Sequence, residues 1–466
     1  MGRCPTGTVP SNFPRGRKRG LQTALQKEII REIETLIGNQ SIADLDFEAV
    51  EMAARRQSLR LAARALEQRL NTDTSDHVGP QLPCPCGGSA QYHGRHGKTF
   101  ESVLGPLHLQ RAYYHCEQCE SGFCPRDRAL GLASFSLTPG VLRMTASAAA
   151  LLSFEESSGL LHELAGAEVS AKQVERAAEA LGAEIAVDEH QQVEKMGEVT
   201  PTMYLGMDGT GVPMRTQEVA DRAGKQADGS AKTREAKLVT IWTAESRDKE
   251  GKPCAIRDRL PISAAIESAA TLDTSPHLSD FAERVGREAA CRGFTEAPHQ
   301  LVLGDGSTWI WNTATELFPP ATQILDRFHA KEHLSQVGKI IYGDSPEGQP
   351  WIQARYEELD AGRLKSLVQA LHSHVGQHKE ARECVRYLWN NRHRMRYPKF
   401  HKQGFCTSTG VVETGCKVVI GTRLKRAGMH WTVKGANTII ALRCSRLSGR
   451  FEDFWERRSD QRKTAA

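Results

Sequence analysis

The 466-residue sequence contains no run approaching the ~20 apolar residues that a membrane-spanning helix needs, so no membrane role is expected. Its opening, "MGRCPTGTVPSNFPRGRKRG", carries charge with no apolar segment behind it and does not read as a signal peptide. Without such a signal, the twelve cysteines read as reduced thiols of a cytosolic protein, and clustered ones suggest metal before disulfide. Internal repeats and true low-complexity tracts are also missing. What remains, 39% hydrophobic and 25% charged residues, describes a soluble globular chain of two to four domains.

The net charge is only +5, but it is unevenly spread. From Asn391 to Ala466 there are 17 Lys and Arg against 5 Asp and Glu, while the rest of the chain is mildly acidic. A basic C-terminal segment suggests a polyanionic partner at one surface. Apolar residues interleave with these charges ("VVIGTRLK", "TIIALRCSRL"), so the segment is expected to fold.

The pattern along the chain predicts a multidomain α+β protein. Residues 1–20 read as a disordered basic tail. Residues 21–80 read as an N-terminal helical region, with Leu25, Ile29, Ile33 and Leu36 on one face, followed by a polar linker. Residues 81–130 turn to cysteines, glycines and a hairpin, "TFESVLGPLHLQRAYY", with its turn at Gly105-Pro106. Residues 131–195 have the grammar of a helix-turn-helix: Leu160, Leu161 and Leu164 on a first helix, a break at Gly166, and Ser170 capping a second helix. Lys172 and Arg176 on that second helix are candidate DNA contacts, and an ordinary helical hairpin is the competing reading. Residues 196–329 are α/β, 330–400 almost wholly helical, and 401–466 a capped helix running into the basic segment.

Cys84 and Cys86 ("LPCPCGG") and Cys116 and Cys119 ("YHCEQC") flank the expected hairpin. Two cysteine pairs brought together by strands make a tetrahedral thiolate site of the zinc-ribbon kind, and structural Zn2+ is expected there. The first knuckle, C-x-C, is one residue tighter than usual, which leaves Cys124, His93, His96 or His115 as possible substitutes.

Four acids stand out. Asp208 ("LGMDGTG"), Asp305 ("LGDGS") and Asp326 ("ILDRFHA") each follow an apolar run that reads as a strand, and Glu413 ("GVVETGCK") opens a helix. Asp-Gly is by default a turn. Ligand chemistry in open α/β sheets nevertheless gathers at strand C-termini, and carboxylates from distant parts of a chain can hold two Mg2+ ions roughly 4 Å apart for phosphodiester chemistry. Asp208, Asp305 and Glu413 should then converge within about 4–8 Å. Glu413 also suits a helix N-terminus on dipole grounds and stands one turn from Lys417, as a salt-bridge partner or beside a phosphate-binding base. His329, three residues after Asp326, reads as a metal partner, a phosphate contact or part of a buried network.

In this order, with a helical stretch between Asp326 and Glu413, the chain resembles the RNase H-like core of DDE transposases. More specifically, it is similar to bacterial insertion-sequence transposases of the ISKra group. The passages "RAYYHCEQCESGFCPRDRALGL", "YLGMDGTGVP", "LVLGDGSTWIWN", "ILDRFHAKEHL", "VVETGCKVVIGTRLKRAGMHW" and "SGRFEDFW" carry the resemblance over roughly residues 80–455. It implies an RNase H-like α/β catalytic core with an inserted helical subdomain. Asp208, Asp305 and Glu413 would be the triad holding two Mg2+ or Mn2+ ions, with Asp326 and His329 beside it. The zinc-ribbon and helical regions would bind element ends in double-stranded DNA, as a homo-oligomer on paired ends in the bacterial cytoplasm, associated with the nucleoid. Lys417, Arg423, Lys425 and Arg426 are the expected phosphate contacts. The alternatives are a catalytically inactive DNA-binding regulator, and an RNase H-type nuclease that cuts without joining.

Overall fold

The computed structural model describes residues 46–191, 199–220, 222–224, 226–244, 246–247, 253–254, 262–269 and 277–464, with residues 27, 30, 31, 34 and 35 also helical. The expectations for the basic tail and for Leu25, Ile29, Ile33 and Leu36 lie outside the described residues. The protein is a mixed α+β chain in two compact units: residues 1–148, 154–174 and 458–466 form one, residues 149–153 and 175–457 the other. Among the described residues no helix is long and apolar enough to cross a membrane.

In the first unit, helix α1 (Phe47–Thr72) is opened by Asp46, whose side chain accepts from the Ala49 amide. A four-stranded antiparallel sheet follows in the order β1 (Gln81–Pro83), β2 (Ser89–Ser102), β3 (Gly105–Cys116), β4 (Ser121–Phe123). The expected hairpin is β2–β3, closed at Ser102 opposite Gly105. Because β4 is short, much of β3 lacks a second strand neighbour. Side chains of α1 take up its backbone groups instead: the His108 amide donates to Glu67 at 2.7 Å and the Gln110 amide to Asn71 at 2.8 Å. Beneath them Asp76 is buried and accepts from Arg95, Arg126 and the Ala112 amide, at 2.8–3.0 Å. Such a carboxylate is affordable only because every partner is present.

After α2 (Pro125–Leu130) and α3 (Pro139–Leu151) comes α4 (Phe154–Leu160), which runs into a π-turn at Leu161–Ala165 and stops at Gly166 with φ +65°. Ser170 and Gln173 then form a capping box at the start of α5 (Ala171–Gln191): the Gln173 amide donates to Ser170 Oγ, and Ser170 donates back to the Gln173 side chain. Of the three leucines expected to pack from the first helix, Leu161 is buried, while Leu160 and Leu164 are exposed.

The second unit is built on a five-stranded sheet in the order β11–β10–β5–β6–β9. Strand β6 (Thr233–Thr243) pairs antiparallel with both β5 (Thr202–Pro213) and β9 (Ile262–Ala265), and a separate two-residue pair, β7 (Ser246–Arg247) and β8 (Pro253–Cys254), lies between β6 and β9 in the chain. Strands β10 (His299–Gly304) and β11 (Thr322–Leu325) add parallel to β5. Helix α6 (Asp280–Arg292), capped by Ser279, and crossover helix α7 (Thr308–Leu317) contribute Phe281, Val285, Ile310 and Trp311 to the core beside Leu205, Ile241 and Leu303. The "KLVTIWT" run is buried on both faces from Leu238 to Ile241, as a central strand requires.

The helical stretch starts earlier than 330. Strand β11 ends at Leu325 and Asp326 caps α8 (Arg327–Tyr342), followed by α9 (Gly348–Asp360), α10 (Leu364–His372), α11 (Lys379–Asn391) and α12 (Tyr397–Lys402). Arg327 and Lys331 both donate to Asp360, tying α8 to α9. The C-terminal part is α13 (Gly410–Gly415), a π-segment (Cys416–Gly421), α14 (Thr422–Leu424), α15 (Val433–Leu447) and α16 (Phe451–Thr464).

Gly182 of α5 sits in a helix interior, where glycine costs about 1 kcal/mol relative to alanine. A Cβ there would stand 2.1 Å from the Thr438 carbonyl oxygen of α15, closer than packed atoms tolerate. The clash outweighs the propensity gain, so Gly182→Ala should lower the melting temperature by several degrees, at ~2–4 °C per kcal/mol. A rise in a thermal melt would contradict this packing.

Candidate functional site

The register of the parallel pair places the first two acids. Leu303 of β10 lies opposite Gly206 of β5. Asp208 lies two residues further along β5, and Asp305 is the first residue past the end of β10. Asp208 is not at a strand end, as its Asp-Gly dipeptide suggested. Strand β5 runs on to Pro213, and Asp208 pairs with Leu238 of β6. Pairing with β6 overrides the local turn preference, and β10 simply stops earlier, leaving Asp208 at the edge of a step in the sheet.

Asp305 does form a turn. Its carboxylate accepts from the Ser307 amide at 2.8 Å and from Ser307 Oγ at 3.1 Å, at the start of α7. Gly306 follows with φ +106°, and a Cβ there would meet the Tyr387 ring at 2.6 Å. Tyr387 of α11 donates its hydroxyl to the Asp305 carbonyl at 2.9 Å, and His333 of α8 packs on the same ring at 4.3 Å. Burial and neighbouring His329 hold His333 below the usual histidine range. The helical stretch thus braces the turn that carries the second acid.

Glu413 stands on α13, which crosses the same end of the sheet. Val412 packs over Gly206, 3.2 Å from where a Cβ would stand. Asp326 is fully buried, and its oxygens accept from the His329 amide at 2.6 Å, the Thr409 amide, and Thr409 Oγ1 at 2.7 Å. Thr409 Oγ1 also lies 3.2 Å from Glu413 Oε1. Asp326 is therefore a cap and a tie that orients the helix bearing Glu413, with its oxygens already engaged. His329 is partly exposed, 3.6 Å from Glu332 and edge-on to His333 at 4.9 Å.

Burial raises the carboxyl of Asp208, a Gly209 amide and the Cys416 thiol pull it back, and the charges of Asp305 and Glu413 push it further up. Asp208 therefore feels the charges of both other acids. Among the described residues none of them forms an ion pair with Lys, Arg or His within 4.0 Å. They do not crowd into one tight cluster either: among the described residues, only the cysteine set below has three or more possible ligand atoms within 4.8 Å of one another.

The basic residues divide. Lys417 and Lys425 are exposed, and Lys425 donates to Thr210 of β5, two residues past Asp208. Lys417 makes no ion pair with Glu413, because the turn between them is a π-segment and the i, i+4 alignment is lost. Arg426 is half-buried. Arg423 is a correction: it is fully buried, donates to the Ala149 carbonyl at 3.2 Å and stacks over Trp431 at 5.3 Å, so it cannot hold a phosphate. Buried Arg443 likewise donates to the Val418 and Val419 carbonyls that the π-segment leaves free, and burial lowers its pKa to about 10. Much of the basic segment's charge is thus structural. Lys172 and Arg176 are both exposed on α5.

In the first unit, Cys84, Cys86, Cys116 and Cys119 bring their sulfurs within 4.8 Å of one another, with Cys84–Cys119 at 3.6 Å and Cys86–Cys116 at 3.7 Å. The tight first knuckle closes through Cys84 N–H to the Gly88 carbonyl at 2.8 Å and Gly87 N–H to the Cys84 carbonyl at 2.9 Å. The alternatives are otherwise engaged: His93 pairs edge-on with His115, His96 stacks on Tyr113, and Cys124 is buried at the start of α2. Hydrogen bonds from Ser121 and then the neighbouring thiols bring Cys119 down to about 6. At Cys84 the Cys86 amide lowers the pKa, but burial and the other thiols outweigh it and push it up to about 12. A four-sulfur set of this kind can bind a metal such as zinc.

Thr409 is marked in the sequence only as part of a helix start, in the "TSTG" run before Glu413, and Cys416, Tyr387 and His333 escaped sequence reasoning. His333 had a signal, the i, i+4 pairing of "HAKEH". Tyr387 had none.

Fold and site together define a mixed α+β protein with a four-cysteine set that can bind a metal and, on and beside neighbouring strands, acids without cationic partners among the described residues. Residues 91–459 match the model of an uncharacterised protein family, UPF0236, and the chain belongs to that family. It is similar to a "UPF0236 protein in vanSb 3'region" from Streptococcus gallolyticus, 22% identical over 353 residues covering 72% of this chain and 70% of that one.

If the cysteines hold structural zinc, purified protein should carry about one zinc per chain, and Cys116→Ser should lose it together with the folded ribbon. Elemental analysis with a thermal melt checks this. Full stability in the zinc-free variant would contradict it.

Proposed function

We propose that the chain is a transposase that cleaves DNA at the ends of a mobile element and joins them to target DNA. The observation that carries this reading is the gathering of three carboxylates without cationic partners, Asp208, Asp305 and Glu413, from two parallel strands and a facing helix. Their chain order and the helical stretch between the second and third match the resemblance to DDE transposases with an RNase H-like core. Membership of an uncharacterised family neither supplies nor opposes this activity.

The donor set is all hard oxygen, which fits Mg2+ or Mn2+. Two such ions, when bound, would activate the attacking oxygen and stabilise the leaving one. The chain's own residues do the rest. Asp208 on β5 and Asp305 just past β10 offer carboxylates, and the Tyr387 hydroxyl fixes the turn that carries Asp305. Asp326, through Thr409, sets the rotation of the helix that presents Glu413. Lys417 and Lys425 are exposed near the acids and suit backbone phosphates. Hydrolysis would break the bond from phosphorus to the 3′ oxygen at the element end and leave a 3′-hydroxyl. That hydroxyl would then attack a target phosphorus, displacing the target's own 3′ oxygen. A multimer on paired ends and a structural zinc in the end-binding unit complete the reading.

Asp208 gives the test. Its pKa is raised in the folded state, so its ionisation opposes folding: relative stability is greatest below the unfolded value and falls as pH rises through the folded one. At neutral pH, without metal, Asp208→Asn should therefore raise the melting temperature, by ~2–4 °C per kcal/mol of relieved repulsion. It should also drop metal-dependent cleavage of element-end DNA below ~0.1% of wild type and abolish stabilisation by Mn2+. Persistent cleavage would overturn the assignment. A strand-transfer assay with pre-cut ends separates a transposase from a nuclease that only cuts.

A further inference from the structure

Next to the Asp305 turn, on the face of the sheet opposite Asp208, lies a cavity of about 540 Å3. Its walls include Arg222, Arg234 and Lys237 on one side, and Thr308, Trp309 and Asn312 of the first turns of α7 on the other. Lys237 neighbours Leu238, the pairing partner of Asp208, and so points to the other face, where its ammonium lies 5.6 Å from the Trp309 ring centre. Thr308 is three residues from Asp305. The cavity therefore flanks the proposed reaction centre.

Its charges do not cancel. Glu267 is clamped by Arg284 at 2.6 and 2.9 Å, and Glu235 pairs with Lys237 at 3.3 Å. Arg222 and Arg234 remain: among the described residues neither has a carboxylate within 4.0 Å. Both line the cavity, and burial followed by the Arg222 charge holds Arg234 below the usual arginine range, with the charge of Glu218 offsetting it in part. Two guanidiniums lining one cavity that also offers a hydroxyl and an amide are matched to a phosphate with its fork-like acceptors.

We propose that this cavity binds a backbone phosphate of the DNA strand running past the acidic centre, with Arg222 and Arg234 as its grip. The inference rests on the DNA-processing reading above and adds a site to it. Arg222→Gln/Arg234→Gln in the full chain tests it, by fluorescence anisotropy with a labelled element-end duplex across a salt series. Two lost phosphate contacts should weaken binding about 10- to 100-fold at 0.1 M salt and reduce the slope of log K against log salt by about 2. Arg222→Lys/Arg234→Lys should keep most of the slope, and matching circular dichroism spectra would separate the effect from misfolding. Unchanged affinity and slope in the Gln variant would overturn the proposal while leaving the transposase reading intact. The same loss seen with RNA and not with DNA would overturn it too. A wild-type chain that binds no DNA would instead remove the reading on which it rests.

Discussion

The second unit is organised around a repulsion. Three carboxylates lie on β5, just past β10 and on α13, and no cation within ion-pairing distance offsets them among the described residues. A fold gains nothing in stability from this arrangement: burial first, and then the charges of Asp305 and Glu413, raise the pKa of Asp208. The register of β5 with β10 sets Asp208 near the exit of β10, and the buried Asp326–Thr409 hydrogen bonds hold the start of the helix that carries Glu413. Unbalanced charge of this kind argues for a ligand of opposite charge.

The helices between Asp326 and Glu413 form part of this support. Tyr387 reaches the Asp305 carbonyl and Tyr397 the Leu325 carbonyl at 3.2 Å, so both parallel strands have their exits hydrogen-bonded from the same stretch. Buried arginines do similar service behind Glu413, where Arg443 satisfies carbonyls freed by the π-segment. The first unit has its own anchors in Asp76 with its two arginines and in the four cysteines.

What could be read from the sequence follows from the range of each interaction. The cysteine pairs, the hairpin between them and the Ser170 cap depend on residues close in sequence or on stereotyped spacing, and all are found. The element boundaries at Asp305 and Glu413 are legible from local punctuation. At Asp208 the Asp-Gly dipeptide suggests a strand end, and strand pairing with β6 outweighs it. Arg423 failed because charge is read as surface, whereas carbonyls and an indole ring nearby make its burial affordable. Tyr387 acts 82 residues from its partner, and no local pattern could announce it.

The central claim is that the three acids share metal ions. Crystals grown with Mn2+ and measured for anomalous scattering test it directly. The account predicts two peaks roughly 4 Å apart, bounded by the carboxylates of Asp208, Asp305 and Glu413. Manganese bound elsewhere with none at these acids would contradict it.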